Sequence, residues 1–519
     1  MSRKTDKDFA DFMGKSGFGD TAIQRFLSLA DTCPMWSPDA TPKPAKEIVS
    51  KNPRVIAERF LNETGLRHDG ALELRYYRDR YYIYNVVKCC YHETPDYDIL
   101  VRVTQFMHGI EEYATACTPK LLASIMVNLK GLIHVPADVL LPVFLDGKTM
   151  PLGQYVVMQN GIMFIDGLIE GWADVLSPNT PSFFTVSALP YPYKPGADCP
   201  LFKKFLDSIL PDQQDSVLML QEFIGWCLVY DNTYQRYLLF LGPGANGKGT
   251  TVNIIIRLIG NENVSSLSLE NFNDKFARYE AFGKLLNVAA DIAEVDKAAE
   301  GVLKRWTGGD KLQWERKHKD AVSAPATARI IMLANTKPAI HDKTEAAWRR
   351  LIVVPFNITI TDDQKNPNLA NEIADAELTG IFNWAVEGYK RLKARGHLIE
   401  PSSSLVEKEA YKDEMNSVRG FLKSECVEDA CCKVPVKDML QSYQVYCKNT
   451  GRKACGDSVF GRELKKLFPK VEKDRDPFHF KALQNGVVSD KERRETFYKG
   501  IRIVGDLCHR STFDPNFYL

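Results

Sequence analysis

The sequence contains no long apolar run. Hydrophobic residues make up 45% of its 519 positions, yet no stretch approaches the roughly 18 consecutive apolar residues of a membrane-spanning helix. The first eight residues are largely charged, and no apolar segment follows them. We therefore expect no membrane partner and no secretory signal, and a protein that is cytoplasmic and not secreted.

The sequence also lacks an excess of charge of either sign. Its 67 Lys and Arg residues nearly balance its 66 Asp and Glu residues, which gives a formal net charge of +1. Overall charge therefore gives no sign of nucleic-acid binding, and any such contact must come from a local basic patch.

The twelve cysteines include no Cys-x-x-Cys pair. Cys89 and Cys90 lie near His92, and a second group runs from Cys426 to Cys455, but neither group has the spacing of a zinc ribbon. Reduced cysteines in a cytosolic protein are the better interpretation, and we expect no cysteine metal site.

Composition and periodicity predict five segments, and the largest is an α/β core. In this core apolar strand-like runs alternate with helical patterns. The segments are a mixed α+β region (1–150), strands and turns followed by two helices (151–230), the α/β core (231–395), a linker with Pro401 and three serines (396–419), and a small terminal unit (420–519).

An aromatic and basic hairpin is predicted near residues 72–87. Tyrosine pairs at 76–77 and 81–82 flank Arg78-Asp79-Arg80. Such a cluster could stack on nucleic-acid bases, or it could form one face of a sheet. Residues 1–150 therefore have two candidate roles, in DNA contact or in assembly.

A glycine-rich turn with a lysine lies between a buried strand and a helix. Residues 237–241 form the apolar strand, and apolar residues recur at helical spacing after Lys248 until Gly260. Consecutive backbone N–H groups at such a turn bind polyphosphate, and the lysine reaches the terminal phosphates. The predicted nucleotide-binding residues are Gly242, Pro243, Gly244, Ala245, Asn246, Gly247, Lys248, Gly249 and Thr250.

Three later segments complete a predicted ATP-hydrolysis site. An apolar strand ends at Asp291, followed by Glu294, and these acids would bind Mg²⁺ and polarise the attacking water; Asp296 is a weaker substitute. Asn335 follows a third strand and could orient that water. Arg349 and Arg350 precede a fourth strand, where an arginine could reach the γ-phosphate held by a neighbouring subunit.

Together these motifs resemble those of superfamily 3 helicases of the phage, plasmid and poxvirus primase-helicase group. The resemblance rests on Asn160-Gly161, the segment 201–230, Gly-Pro-Gly-Ala-Asn-Gly-Lys, Asp291-Ile-Ala-Glu294, Trp306-Thr-Gly-Gly-Asp310, Ala334-Asn335-Thr-Lys-Pro338 and Trp348-Arg-Arg350. It covers residues 155–395 well and extends to the C-terminus.

The resemblance implies an AAA+ P-loop ATPase core with a helical collar and a C-terminal winged-helix domain. It implies a homo-hexameric ring that uses ATP and Mg²⁺ and moves 3′→5′ on single-stranded and forked DNA. The setting would be replication of a virus, phage or mobile element, at a host cytoplasmic or viral replication site, with a polymerase or primase as partner.

Two basic regions are the predicted DNA contacts. The resemblance places Arg316, Lys317, His318 and Lys319 on a hairpin that lines the ring's pore. Arg462, Lys465 and Lys466 lie on the second helix of the winged-helix-like unit, where a basic face suits phosphate. For each region a purely structural role, a solvated turn or a protein contact, stays open.

One departure from the family pattern leaves metal binding open. Gly249 stands where a hydroxyl residue normally touches Mg²⁺, so Thr250 or water would have to take that place. The N-terminal region also lacks paired acids typical of a primase. The leading hypothesis is a replicative DNA helicase; the alternatives are a nucleotide-switched initiator or scaffold without processive unwinding, and a primase-helicase with a cryptic primase.

Overall fold

The computed structural model describes most of the chain as two compact units. The described residues are 50–68, 70–147, 151–290, 292, 297–317, 320–342, 344–484, 487–504 and 509–510, with the backbone alone at 68, 476–484, 487–493 and 509–510. The units are Met1–Pro195 and Gly196–Leu519. The predicted boundary at residues 150/151 therefore falls inside the first unit.

Within its described residues, the N-terminal unit combines five helices with small sheets. Asn52 caps the first helix and Thr118 caps the fourth, each followed by a proline in the first turn, as helix N-termini favour. The helices are α1 (Pro53–Glu63), α2 (Asp96–His108), α3 (Glu111–Ala114), α4 (Pro119–Leu132) and α5 (Ile165–Glu170). The strands are β1 (Arg67–His68), β2 (Ala71–Leu72), β3 (Leu74–Tyr77), β4 (Arg80–Asn85), β5 (Cys90–Thr94), β6 (His134–Val135), β7 (Val143–Phe144), β8 (Tyr155–Met158), β9 (Gly161–Phe164), β10 (Leu176–Ser177) and β11 (Phe183–Phe184).

The aromatic hairpin is part of the core of this unit. Strands β3 and β4 pair as predicted, in a sheet of order β5-β4-β3-β6. Tyr77, Tyr81 and Tyr82 are buried. Tyr77 and Tyr82 pack against each other, and Tyr77, Tyr82 and Tyr91 each pack edge-on against Phe184. The interpretation as a base-stacking surface is wrong for Tyr77, Tyr81 and Tyr82, because their rings are buried in the core.

The C-terminal unit is built on a parallel five-stranded sheet. Its order is β13-β14-β17-β12-β18, so the first strand lies between the fourth and the fifth. The strands are β12 (Tyr237–Leu241), β13 (Val264–Ser265), β14 (Leu286–Ala289), β17 (Arg329–Ala334) and β18 (Leu351–Pro355), and β15 (Lys311–Trp314) and β16 (Val322–Pro325) form a separate antiparallel hairpin. This confirms the predicted α/β core and the four strands expected at the candidate site.

Helices cover the faces of this sheet. The longest, α12, packs against α7, and a Cβ atom on Gly225 of α7 would lie 2.1 Å from the carbonyl oxygen of Ala385 on α12. Only glycine permits this approach. The helices are α6 (Pro200–Ile209), α7 (Gln214–Trp226), α8 (Lys248–Ile259), α9 (Lys275–Arg278), α10 (Lys297–Gly308), α11 (Glu345–Trp348), α12 (Leu369–Arg395) and α13 (Ser402–Met415).

The segment predicted as a linker, 396–419, is largely helix α13, which packs on the core. β18 is an edge strand, and the buried Ser404 hydroxyl of α13 accepts a hydrogen bond from Val353 N–H at 3.0 Å. Tyr411 is fully buried in the hydrophobic core beneath the sheet. The linker prediction is therefore wrong here: polar serines suggested a connector, but one serine covers the backbone of an otherwise open sheet edge.

The terminal elements follow the order helix, strand, two helices and two long strands. They are α14 (Ser417–Glu425), β19 (Cys426–Pro435), α15 (Val436–Asn449), α16 (Asp457–Leu467), β20 (Glu472–Gln484) and β21 (Val487–Ile503), with a short β22 (His509–Arg510). The sheet order is β20-β21-β19-β22. The predicted helices at 436–449 and 458–468 are confirmed.

The described residues contain neither a candidate membrane-spanning helix nor a candidate metal-binding group. No helix there has the length and apolar character needed to cross a membrane. Within the same residues, no group of three or more His, Cys, Asp or Glu side chains is placed to bind a metal ion.

Candidate functional site

The glycine loop, residues 242–247, joins the end of β12 to the start of α8. Gly242 has φ +150°, and a Cβ atom there would lie 2.3 Å from the carbonyl oxygen of Phe356. Gly247 has φ +88°, and a Cβ atom there would lie 2.7 Å from Ile209 Cγ2. Both positions need glycine, because close packing and backbone conformation each exclude a side chain.

Neighbouring segments fix the shape of the loop. The buried Asn246 amide donates to the carbonyl of Phe356 at 3.0 Å, and Ile360 N–H donates to the carbonyl of Ala245 at 2.7 Å. Both partners lie just beyond β18. The loop is therefore held in position at the N-terminus of a twelve-residue helix, where backbone N–H groups attract anions.

Lys248 is buried within the concave side of this loop. Its ammonium donates to the carbonyls of Gly242 and Pro243, at 2.5 and 2.9 Å, and to Asn246 Oδ1 at 3.2 Å. Burial lowers the pKa of Lys248 from its usual range. All three partners are neutral oxygens of the loop, so within the described residues no carboxylate pairs with this cation, and an anionic ligand would stabilise it.

The first turn of α8 contains three candidate positions for a metal-binding hydroxyl. Gly249 is exposed, with no heavy atom within 4 Å of an added Cβ atom. Thr250 is half-buried. Thr251 is fully buried and donates from its hydroxyl to the carbonyl of Gly247 at 2.9 Å. A side chain at residue 249 would thus meet open space, whereas the Thr251 hydroxyl is already bonded to the backbone at the start of its own helix.

Asn335 lies next to the glycine loop. Leu241 pairs with Ala334 across the parallel strands, and Gly242 N–H donates to the carbonyl of Ala334 at 3.3 Å. The exposed Asn335 follows Ala334 directly. The structure therefore brings Asn335 and the loop together at the carboxyl edge of the sheet, where ligands of parallel α/β proteins bind.

The predicted acids, Asp291, Glu294 and Asp296, lie outside the described residues. The strand that leads to them, β14, ends at Ala289, which pairs with Met332 of β17. Ile292 is described, and its N–H donates to the carbonyl of Leu333 at 3.5 Å. The backbone on both sides of Asp291 thus approaches the same carboxyl edge.

Arg349 and Arg350 lie at the opposite, amino edge of the sheet. They precede β18, whose first residue pairs with Tyr237, the first residue of β12. Arg349 is exposed. Arg350 is half-buried and donates to the carbonyl of Ala346 at 2.6 Å; burial, reinforced by the charge of Arg349, lowers the pKa of Arg350. The two arginines therefore have different surroundings, and neither is next to its own glycine loop.

The backbone of this arginine turn, residues 348–351, is held at four consecutive carbonyls. Lys408 Nζ donates to the carbonyls of residues 348 and 351, at 3.3 and 3.2 Å. Arg236 donates to the carbonyl of Arg349, and Tyr237 N–H to that of residue 350. Glu400 pairs with both Lys408 and Arg236. These supporting residues were not found from the sequence, since an isolated lysine or glutamate in a polar segment gives no signal.

The basic hairpin β15–β16 is anchored through its first strand, and Lys317 in its loop is exposed. Trp314 is buried, and Arg278 donates to the carbonyl of Gln313 at 2.6 Å. The Arg316 guanidinium lies over the ring of Tyr279, 4.2 Å from its centre, whereas Lys317 is exposed. His318 and Lys319 lie outside the described residues.

The second basic region lies on helix α16, and its members differ in their contacts. Lys465 donates to the carbonyls of Pro469 and Val471, at 2.7 and 3.0 Å, and Lys466 pairs with Glu463 at 2.7 Å. Arg462 is exposed and has a 3.4 Å contact with the carbonyl of Ser458 in its own helix. All three keep their charge at the surface, and Arg462 is the least constrained by its recorded contacts.

Two family models match separate parts of the chain. A family of unknown function, DUF5906, matches residues 240–350, from the glycine loop to the arginine turn. A family described as poxvirus D5 protein-like matches residues 413–500, from the end of α13 into β21.

Viral relatives match about a third of the chain at low identity. The chain is 26% identical over 159 residues to "Putative helicase L207/L206" of Acanthamoeba polyphaga mimivirus, covering 29% of this chain and 16% of that protein. It is 28% identical over 186 residues to "Putative helicase 184R" of Invertebrate iridescent virus 6, covering 33% of this chain and 19% of that protein. The match thus spans less than a fifth of either relative.

A solved structure aligns with most of the chain. It is described as the A form apo structure of the NrS-1 C terminal region; the alignment covers 86% of this chain and 100% of that one, with a TM-score of 0.48 and 13% identity. The chain is thus similar to a family of unknown function in its glycine-loop region, to poxvirus D5-like proteins in its terminal segment, and to viral proteins named putative helicases over about a third of its length.

Proposed function

We propose that the protein is an ATP-dependent DNA helicase of the superfamily 3 type, with an AAA+ core that assembles as a homo-hexameric ring. The observation that carries this proposal is the arrangement at the carboxyl edge of the parallel sheet. There a fixed glycine loop, which holds the buried Lys248 through neutral oxygens, lies beside Asn335. The similarity to viral proteins named helicases agrees with it.

In this proposal the chain's own groups have distinct roles in hydrolysis. The loop N–H groups and Lys248 bind the β- and γ-phosphates of ATP, and Asn335 orients the attacking water. Asp291, with Thr250 or water in place of the usual hydroxyl, would hold Mg²⁺, which would supply charge neutralisation at the phosphates, and Glu294 would polarise the water. Arg349 completes the site of the neighbouring subunit, because it lies at the far edge from its own loop.

DNA contact is proposed for both basic regions. The tip of the β15–β16 hairpin, with Lys317 and the adjoining His318 and Lys319, would hold one strand in the pore. The order helix, strand, two helices and two strands supports the proposed winged helix, in which α16 would be the second helix after β19 and the β20–β21 hairpin the wing. Arg462, Lys465 and Lys466 would then contact phosphates of duplex or forked DNA.

The proposal is tested by ATP hydrolysis and strand separation with purified full-length protein, Mg²⁺ and two partial duplexes, one with a 3′ single-stranded tail and one with a 5′ tail. A helicase that moves 3′→5′ separates the strands of the first duplex and not those of the second. Lys248→Ala should abolish both hydrolysis and separation. Hydrolysis at the wild-type rate in this variant would contradict the site assignment.

A nucleotide-switched initiator or scaffold is the second candidate, and Gly249 favours it. Without a hydroxyl at this position the site has one metal ligand fewer than a typical phosphate loop, which would suit slow turnover. This alternative predicts DNA binding that depends on nucleotide, without separation of the strands of either duplex. Electron microscopy with a non-hydrolysable nucleotide would show whether a ring of six subunits forms.

A further inference from the structure

Helix α13 is joined to the segment that carries Asn335. The carboxylates of Glu407 and Glu414 lie 2.8 and 2.5 Å from Lys337 Nζ, and the Tyr411 hydroxyl donates to the carbonyl of Pro338. Lys337 and Pro338 follow Asn335 by two and three residues. A movement of α13 would therefore displace the backbone that positions Asn335.

The same helix is joined to the arginine turn. Besides the contacts of Lys408 with two carbonyls of the turn, Tyr411 packs edge-on against Trp348, with ring centres 5.3 Å apart. Lys412 lies 3.5 Å from Glu345 of α11, the short helix that ends directly before Arg349. One helix thus holds both the Asn335 segment, which serves its own subunit, and Arg349, proposed to serve the next.

The carboxyl end of α13 is joined to the terminal elements. Arg419 of α14 lies 2.5 Å from Asp413, and Arg452 donates to the carbonyl of Asp413 at 3.1 Å. Asn416, between α13 and α14, donates to Glu463 at 2.9 Å. Glu463 lies on α16 beside the basic residues, so the chain of contacts reaches the proposed DNA-binding face.

These contacts are of the kind that resists sliding. The side chains of Lys337 and Lys408 are only 14% and 7% exposed, and removing a partner would leave a charge with little solvent. A cavity of about 30 Å³ lies where Pro338, Arg350 and Tyr411 meet. Because the buried ion pairs resist separation, a displacement of α13 would move Lys337 and the arginine turn with it.

We propose that α13 is a mechanical connector through which DNA bound at α16 repositions Asn335 and Arg349 and so controls ATP hydrolysis. Glu407, Tyr411 and Glu414 are then positioning residues, because they act through Lys337 and Pro338. This inference rests on the proposed ATPase and DNA-binding functions, and it adds that the two sites are coupled through one identified helix.

Two variants interrupt the connector at its two ends, and a melting curve of each establishes that it is folded under the assay conditions. Glu407→Gln/Glu414→Gln removes the charges that face Lys337 and keeps side-chain shape. Asn416→Ser removes the amide that donates to Glu463 but keeps a residue that caps helix α14 well. Asp375→Asn is the matched control, since it breaks the Arg257–Asp375 ion pair elsewhere in the unit.

ATP hydrolysis is measured with and without a forked DNA duplex, and DNA affinity is measured separately by fluorescence anisotropy. We expect both variants to retain basal hydrolysis and DNA affinity within about twofold, but to lower the DNA stimulation ratio by about twofold to thirtyfold, the range for residues along a coupled network. The control should keep the wild-type ratio. Stimulation equal to wild type in both variants would overturn the connector.

Hydrogen exchange gives a readout that a merely structural role would not move. In wild-type protein, DNA should change the exchange of peptides covering residues 336–342 and 345–351, and this change should disappear in both variants. Wild-type protein that hydrolyses ATP and binds DNA, yet shows neither stimulation nor an exchange change, would also overturn the connector. Absence of hydrolysis in wild type would instead contradict the proposed function.

Discussion

Substitution of Arg349 tests whether hydrolysis needs two subunits. The five residues of β18 separate this side chain from the carboxyl edge that carries the glycine loop. At about 3.3 Å per residue this strand spans about 16 Å, more than an arginine side chain can reach. Arg349 therefore cannot contact a phosphate held by its own loop, and the direct role proposed for it in hydrolysis requires the site of a neighbouring subunit.

The neighbouring Arg350 provides the comparison. Its guanidinium is half-buried and bonded to Ala346 of α11, whereas the Arg349 side chain is exposed and its backbone is held at both ends, the carbonyl by Arg236 and the N–H by the carbonyl of Glu345. Arg350→Ala should lower stability, by about 1–3 kcal/mol for the groups left unsatisfied. Arg349→Ala should leave the melting temperature unchanged.

The expected loss of activity in Arg349→Ala is large. An arginine supplied in trans to a nucleotide hydrolase contributes about three to five orders of magnitude in kcat, or about 4–7 kcal/mol of transition-state stabilisation. Steady-state hydrolysis under saturating ATP and Mg²⁺ measures it. ATP binding should change little, because Arg349 is expected to act on charge that develops in the transition state.

Mixing subunits separates action in trans from action in cis. Rings that combine Arg349→Ala and Lys248→Ala subunits contain interfaces with an intact loop on one side and an intact arginine on the other. They should recover part of the activity that each variant lacks alone. Mixed rings, verified by differential tagging, that recover nothing at any ratio would refute the reasoning, as would wild-type turnover in Arg349→Ala.

Three further changes test separate parts of the site and fold. Gly249→Ser introduces a hydroxyl where the helix leaves open space, and should lower the Mg²⁺ concentration for half-maximal nucleotide binding, measured by fluorescence titration; an unchanged midpoint would mean that this position does not face the metal. Lys317→Ala should abolish strand separation but retain basal hydrolysis, with the exposed Lys311 at the hairpin base as the control substitution; normal separation of a fork would exclude the hairpin tip as the DNA grip. Ser404→Ala should destabilise the protein by about 1–3 kcal/mol in thermal melting, because it leaves the Val353 N–H buried without its acceptor; an unchanged melting temperature would show that the edge strand does not depend on α13.

The sheet could be predicted because its strands have a strong local signal. The apolar runs at 237–241 and 351–355 match β12 and β18 at both ends, and helix α8 begins at the predicted Lys248 and ends one residue before Gly260. A continuous apolar run of strand length, next to a helical pattern, is typical of a strand buried on both faces. The glycine loop, Asn335 and the two arginines were predicted from their places relative to these strands.

The supporting residues could not be predicted, because their roles depend on contacts far apart in sequence. Ser404 lies 51 residues from the strand that it covers, and Lys408 lies 60 residues from one of the carbonyls that it holds. In the sequence both belong to a polar stretch after Pro401, which has the composition of a connector. Only the fold shows that this stretch covers an edge strand, and local propensity carries no information about which edge will be open.

The same contacts bear on why the two arginines should be unequal. The Arg350 guanidinium donates to the carbonyl of Ala346 and lines a cavity with Tyr411. Part of its hydrogen-bonding capacity is therefore satisfied within its own chain. Arg349 has its backbone fixed from Arg236, on the segment before β12, while its side chain stays exposed. A fixed backbone lowers the conformational entropy lost on contact with a partner, and an exposed side chain can reach that partner. This is the arrangement that a residue acting across a subunit interface requires, and it makes Arg349 the stronger candidate for action in trans.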